Sequence, residues 1–152
     1  MILSIEIEDA AWEAIPGLQA LAEQAVAATL RGREEAGEVF LLFTSDDEIQ
    51  LMNRDWRGKD KATNVLSFPA PDMPLPQGEM APLGDVVLAY GTVSREAAEQ
   101  GKNATEHACH LIVHGVLHLL GYDHENDQEA EEMENEERLI LARLGIADPY
   151  RT

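Results

Sequence analysis

The stretch HGVLHLLGYDH, residues 114–124, places three histidines within eleven residues and constrains the chain more than any other segment. Residues four apart on a helix share a face, with Cβ atoms about 5–6 Å apart, so His114 and His118 can turn their imidazoles toward one point. Gly121 is a natural helix stop, because glycine adopts the left-handed conformation that ends helices. Beyond it, the YDH segment can turn back and bring His124 to the same side. Any one of these histidines alone reads as a packed or surface residue. Together they point to a metal, since three neutral imidazoles leave a tetrahedral ion one open position, as in catalytic zinc centres. A structural zinc is instead closed by four protein ligands, usually with thiolates.

The spacing H-x-x-x-H-x-x-G-x-x-H matches the zinc-binding stretch of metzincin proteases except at Gly115, which stands where their glutamate belongs. That carboxylate activates water and shuttles its proton. Glycine cannot, so peptide hydrolysis would need another base, such as Asp85 or Asp123. His107 and His110 lie upstream on roughly the same helical face and read as residues behind the ligands or at the surface. A helix presenting ligands on three successive turns spreads them too far for one small ion, which makes His110 a weak candidate and His107 a weaker one. Cys109 points away from His107 and reads as a buried thiol.

Around this motif the periodicities predict a single α/β (α+β) domain over residues 1–152, with about four strands in a mixed sheet and about five helices. ILSIEI alternates like a half-buried strand, and EVFLLF is a continuous apolar run suited to a strand covered on both faces. Between them, Pro16 suits the first turn of a helix whose core stripe is Leu18, Leu21, Ala22, Ala25 and Val26. Ser45 and Glu48 form a capping box for a short helix to about Asp55, and TNVLSF and GDVVLAY read as strands. Five of the seven prolines fall in residues 69–82, which predicts a loop. Ser94 suits the cap of a short helix ending near Gly101, and Asn103 with Glu106 the start of the helix carrying the histidines. A last helix from about Asp127 buries Ala130, Met133, Ile140, Leu141 and Leu144 before Gly145 and Pro149 end it.

A formal net charge of -18 argues against broad electrostatic adhesion to nucleic acid or anionic membrane. Eight carboxylates crowd residues 125–137, expected to be a solvated helix face, while Arg54, Arg57, Lys59 and Lys61 make one locally basic segment. An anionic ligand would meet that segment. The chain has no apolar run of membrane-spanning length, and its N-terminus lacks a basic region before its apolar residues, so a cytoplasmic protein without a signal peptide is expected. Its single cysteine, Cys109, excludes an internal disulfide and fits a reducing compartment.

With WRGKDKATNVLSFPA (56–70) and LGDVVLAY (83–90) preceding the histidine motif in that order, the chain resembles the YbeY family of bacterial metal-dependent endoribonucleases over nearly its whole length. Trp56 stands where that family carries tyrosine or phenylalanine, and Ala62 where proline is frequent; an aromatic is kept and the loop gives up only some stiffness. The resemblance implies one zinc ion held by His114, His118 and His124, cleavage of single-stranded RNA, and a part in 16S ribosomal RNA 3′-end maturation and ribosome quality control. It also places the family's functionally important arginine at Arg57, whose planar fork of donors suits phosphate. The alternative for Arg57 is a surface ion pair with Asp55 or Asp60.

Trp56 is a candidate for stacking on a base, or for half-buried packing. Lys59 and Lys61 are candidates for tracking an RNA backbone, and Asn64 and Ser67 for lining the cleft or packing the strand. Imidazole also suits nickel and other divalent transition metals. The nucleophile is open between an activated water and the RNA 2′-hydroxyl. Two other functions compete: a metal-dependent hydrolase of another substrate, peptide included, and a non-catalytic ribosome-associated factor with a structural metal. So acidic a chain is expected to depend on the ribosome or its proteins to reach a 16S precursor.

Overall fold

The computed structural model describes residues 2–33, 37–71 and 82–150. Within them lie strands β1 (Ile2–Ile7), β2 (Glu38–Thr44), β3 (Val65–Pro69) and β4 (Pro82–Ala89). The helices are α1 (Leu18–Thr29), α2 (Asp46–Arg57), α3 (Tyr90–Glu99), α4 (Ala104–Leu119) and α5 (Asp127–Arg143). The strands form one mixed sheet in the order β1-β2-β4-β3, in which β1, β2 and β4 are parallel and β3 pairs antiparallel with β4. Side chains alternate across a strand, and the two cores follow that parity. Val39, Leu41 and Phe43 of β2 and Val86 and Leu88 of β4 enter the main core with α1, α3, α4 and α5. Phe40, Leu42, Val87 and Ala89 instead meet Ile49 and Met52 of α2. EVFLLF is therefore covered on both faces, as its unbroken apolar run predicts.

The central element is α4, which packs on β3 and β4 and against α1, α3 and α5. Its start is fixed by Asn103, whose side chain accepts from the amides of Thr105 (2.7 Å) and Glu106 (3.2 Å), satisfying donors that a helix start leaves free. Its approach to the sheet depends on Gly115. A Cβ there would lie 2.6 Å from Val86 Cγ1 and 3.2 Å from Ser67 Oγ, and Ser67 donates a hydrogen bond to the Gly115 carbonyl at 2.9 Å. The residue that would carry a protease's glutamate thus faces the sheet, not the histidines. Cys109 is fully buried in the core, and burial, with the nearby Glu106 charge, pushes its thiol up to about 12, so it behaves as a small apolar group.

Local signals mislead at two places. Pro16 is not in the first turn of α1: Gly17 intervenes as the N-terminal cap in a left-handed conformation, φ 66°, and the helix begins at Leu18. A 3-10 helix at Ala10–Ala14 precedes it, seating Trp12 edge-on against Phe43 and Tyr90 and giving its indole N–H to the Thr44 carbonyl at 2.9 Å. Ser94 caps nothing, because α3 runs straight out of β4 and Ser94 lies inside it. The cap comes from another helix: Asp46 Oδ1 accepts from the Thr92 amide (2.9 Å) and hydroxyl (3.0 Å). Gly91 leaves room for it, since a Cβ there would fall 2.6 Å from Asp46 Oδ2. Most of the proline-rich loop expected at 69–82 lies outside the described residues.

Candidate metal centre

The chain reversal after α4 rests on two backbone bonds. The Gly121 amide donates to the His118 carbonyl (3.0 Å) and the Tyr122 amide to that of Leu117 (3.1 Å), with Gly121 at φ 104°. This pattern closes a helix end and requires a left-handed residue. Arg33 holds the turn from outside by donating to the Tyr122 hydroxyl at 3.1 Å, and the Asp123 carboxylate accepts the His124 amide at 2.8 Å. His124 thereby comes back over the helix. Ring centroids are 4.7 Å apart for His114 and His118, 5.1 Å for His118 and His124, and 5.8 Å for His114 and His124.

One ligand nitrogen from each ring falls within 4.8 Å of the others. His114 and His118 are half-buried and His124 is exposed, so the group is anchored at its base and open above. Burial, reinforced by the neighbouring His114 and His124, pushes His118 below the usual histidine value, toward the neutral form that binds metals. The residues fit a single small divalent ion with an open position.

Behind this cluster sits a group that local sequence does not reveal. Most of the acidic run at 125–137 is exposed or half-exposed, but Glu137 is 0% exposed. Its Oε1 lies 2.6 Å from His114 Nδ1 and 3.3 Å from His110 Nε2, and its Oε2 accepts the Tyr150 hydroxyl. Burial alone would raise this carboxyl, yet the hydrogen bonds from His110, His114 and Tyr150 reverse that and hold it down at about 2. His110, His114 and Glu137 also lie close enough together to be considered as a metal site. The 2.6 Å separation argues otherwise, because two donors on one tetrahedral zinc at bonds of about 2.0–2.1 Å stand roughly 3.3 Å apart. A hydrogen bond fits that gap. His107, also buried, pairs with Glu96 at 3.0 Å and takes no part in the cluster.

The histidines line a cleft of about 530 Å³ together with Arg57, Asn64, Ser67 and Asp123. Arg57 closes α2, which stops at Gly58 (φ 70°), and buried Asn53 ties the following loop back by donating to the Lys61 carbonyl at 2.9 Å. The ion pair considered for Arg57 does not form: Asp55 is taken by Arg54 (3.1 Å) and Asp60 by Gln50 (3.1 Å). Among the described residues Arg57 has no carboxylate partner.

Asn64 and Ser67 line the cleft and also build its wall. Asn64 donates to Glu96 at 2.9 Å and accepts from the Val65 amide, while Ser67 holds α4 through Gly115. Lys59 and Lys61 are exposed and lie outside the cleft lining. Trp56 is 75% exposed rather than half-buried, touching Phe68 edge-on at 6.4 Å. It lines a second depression on the α2 face of the sheet, and Asp85 lies there too. Of the two carboxylates considered as substitutes for the protease glutamate, only Asp123 lines the histidine cleft.

The model of the family described as Endoribonuclease YbeY matches residues 5–145. Among curated relatives, the protein named Endoribonuclease YbeY from Rhodospirillum rubrum is 51% identical, over 97% of this chain and 80% of its own. The protein of the same name from Azorhizobium caulinodans is 49% identical over 99% of this chain and 96% of its own. Among solved structures, the solution structure of TM1509 from Thermotoga maritima superposes with a TM-score of 0.60 at 21% identity, covering 99% of this chain and 100% of that one. That last likeness concerns the fold. No helix of the described residues is long and apolar enough to cross a membrane.

Proposed function

The chain belongs to the YbeY endoribonuclease family, and from that premise we propose that it is a zinc-dependent, single-strand-specific endoribonuclease of 16S ribosomal RNA 3′-end maturation and ribosome quality control. The observation that carries the proposal is the sharing of one cleft by three convergent imidazoles and an arginine without a carboxylate partner among the described residues. In this reading His114, His118 and His124 hold the ion. Zinc, when bound, supplies a Lewis acid for a phosphoryl oxygen and lowers the pKa of water. Arg57 offers two parallel N–H donors to the non-bridging oxygens of the scissile phosphate and stabilises the charge that grows on them. Of the other cleft walls, Asn64 ties the start of β3 to α3 and Ser67 ties β3 to α4, which fixes the wall between these groups.

Single-strand specificity is part of the proposal that rests on the family resemblance, and the charge distribution is compatible with it. A chain of net charge -18 repels a duplex over distance, while Arg57 sits in the only dense basic segment. We place the enzyme in the cytoplasm, reaching its 16S precursor with help from the ribosome or ribosomal proteins. Peptide hydrolysis lacks its helix carboxylate, since Gly115 is packed on Val86, and the one substitute acid in the cleft, Asp123, is engaged by the His124 amide. A purely structural metal fits poorly with three protein donors and an exposed His124.

The test is the zinc-loaded protein assayed against a single-stranded RNA, the same RNA annealed to its complement, and unfolded casein. Cleavage of the first, with the duplex and casein left intact, is expected. Proteolysis of casein with no RNA cleavage would overturn the proposal.

A further inference from the structure

We propose that Glu137 is the positioning residue of the histidine site: its buried carboxylate accepts a hydrogen bond from the Nδ1–H of His114 and so holds Nε2 as the nitrogen presented to the metal. The inference rests on His114 being a ligand. A neutral imidazole carries one N–H, and the hydrogen bond made by one ring nitrogen decides which nitrogen is left to bind. An ionised carboxylate only accepts, so the 2.6 Å contact between His114 Nδ1 and Glu137 Oε1 assigns the proton to Nδ1.

The carboxylate is itself immobilised. His110 Nε2 approaches the same oxygen at 3.3 Å and the Tyr150 hydroxyl donates to the other, so α4 and the segment after α5 clamp a side chain of α5. Neither His118 nor His124 has a side-chain hydrogen bond to a carboxylate among the described residues, which makes His114 the oriented member of the three.

The position argues for a role beyond packing. Glu137 continues the buried stripe of Met133, Ile140 and Leu141, where an apolar side chain would fill the space without desolvating a charge. A buried, hydrogen-bonded charge set among apolar neighbours is weak support for stability, since well-packed apolar replacements are often neutral or better. What an apolar residue cannot do is accept a hydrogen bond from His114.

The test uses the full chain and zinc alone. Glu137→Gln keeps the shape but offers only a neutral amide, and competition with a chromophoric chelator should show zinc affinity weaker by about 10- to 100-fold, the range for loss of such orienting partners. Circular dichroism should show the fold retained. Tyr150→Phe should shift affinity the same way by less. Wild-type affinity in Glu137→Gln would overturn the inference. Nitrogen NMR of the zinc-free natural protein gives a second readout that needs no variant: His114 should carry its proton on Nδ1, and a proton on Nε2 would also overturn it. If His114→Ala loses zinc while Glu137→Gln binds normally, only this inference fails. If His114→Ala binds zinc as before, the ligand assignment beneath it fails.

Discussion

Gly115→Glu, the single change that would complete a protease-like H-E-x-x-H motif, is expected to unfold the protein and to give no peptidase. The glycine is buried where α4 crosses β4, and a Cβ would sit 2.6 Å from a methyl of Val86, itself fully buried in a strand. Val86 cannot swing away as a long side chain could, so helix and sheet must separate. Overpacking of this kind costs about 1–3 kcal/mol. A glutamate adds a charge in an apolar contact without a partner, a penalty of several kcal/mol more. Against a total stability of about 5–15 kcal/mol for an ordinary domain, most of the folded population would be lost. Thermal denaturation should show a collapsed or absent transition, with Gly115→Ala in between. A Gly115→Glu protein that melts like the natural one would mean that α4 does not lie this close to the sheet.

Arg57→Glu is expected to abolish RNA cleavage while leaving both fold and zinc in place. The side chain lies in the exposed last turn of α2 and has no ion pair to lose among the described residues, so stability should change by no more than about 0.5 kcal/mol. It lines the same cleft as the histidines but is not one of the three that converge on a metal position, so zinc content should hold. The change exchanges two donors for a charge that repels phosphate. Loss of one preorganised donor commonly costs about 10²–10³ in rate, and reversal of charge should cost more. Arg57→Lys keeps the charge but not the fork and should recover only part of the activity. A rate for Arg57→Glu within a factor of two of the natural protein would remove Arg57 from the mechanism.

What the sequence reveals depends on whether a signal is local. The histidine spacing and Gly121 make a local signal, and α4, its end and the return of His124 stand where that spacing puts them. EVFLLF is legible for the same reason, since a strand covered on both faces needs no polar alternation. The cap of α3 is not legible, because Asp46 reaches it from 46 residues away and the nearby Ser94 offers a false start. Trp12 lies in a 3-10 turn too short to carry a period.

Glu137 is the instructive miss. It sits inside a run of carboxylates whose composition says solvent. Yet it falls four residues after Met133 and three before Ile140, on the stripe that the helix buries. Spacing marks it as an inward acid; composition hides it. The order β1-β2-β4-β3, which puts β3 at an edge and so opens the cleft beside it, arises from pairings between distant segments that no local pattern records.

The most direct measurement is zinc per chain by elemental analysis, made together with cleavage of a single-stranded RNA, for the natural protein and His114→Ala. One zinc in the natural protein, lost along with cleavage in a variant that still folds, is the predicted result and joins the site to the chemistry. A variant that loses zinc yet cuts RNA at the natural rate would contradict it, leaving the histidines a structural site and the nuclease somewhere else.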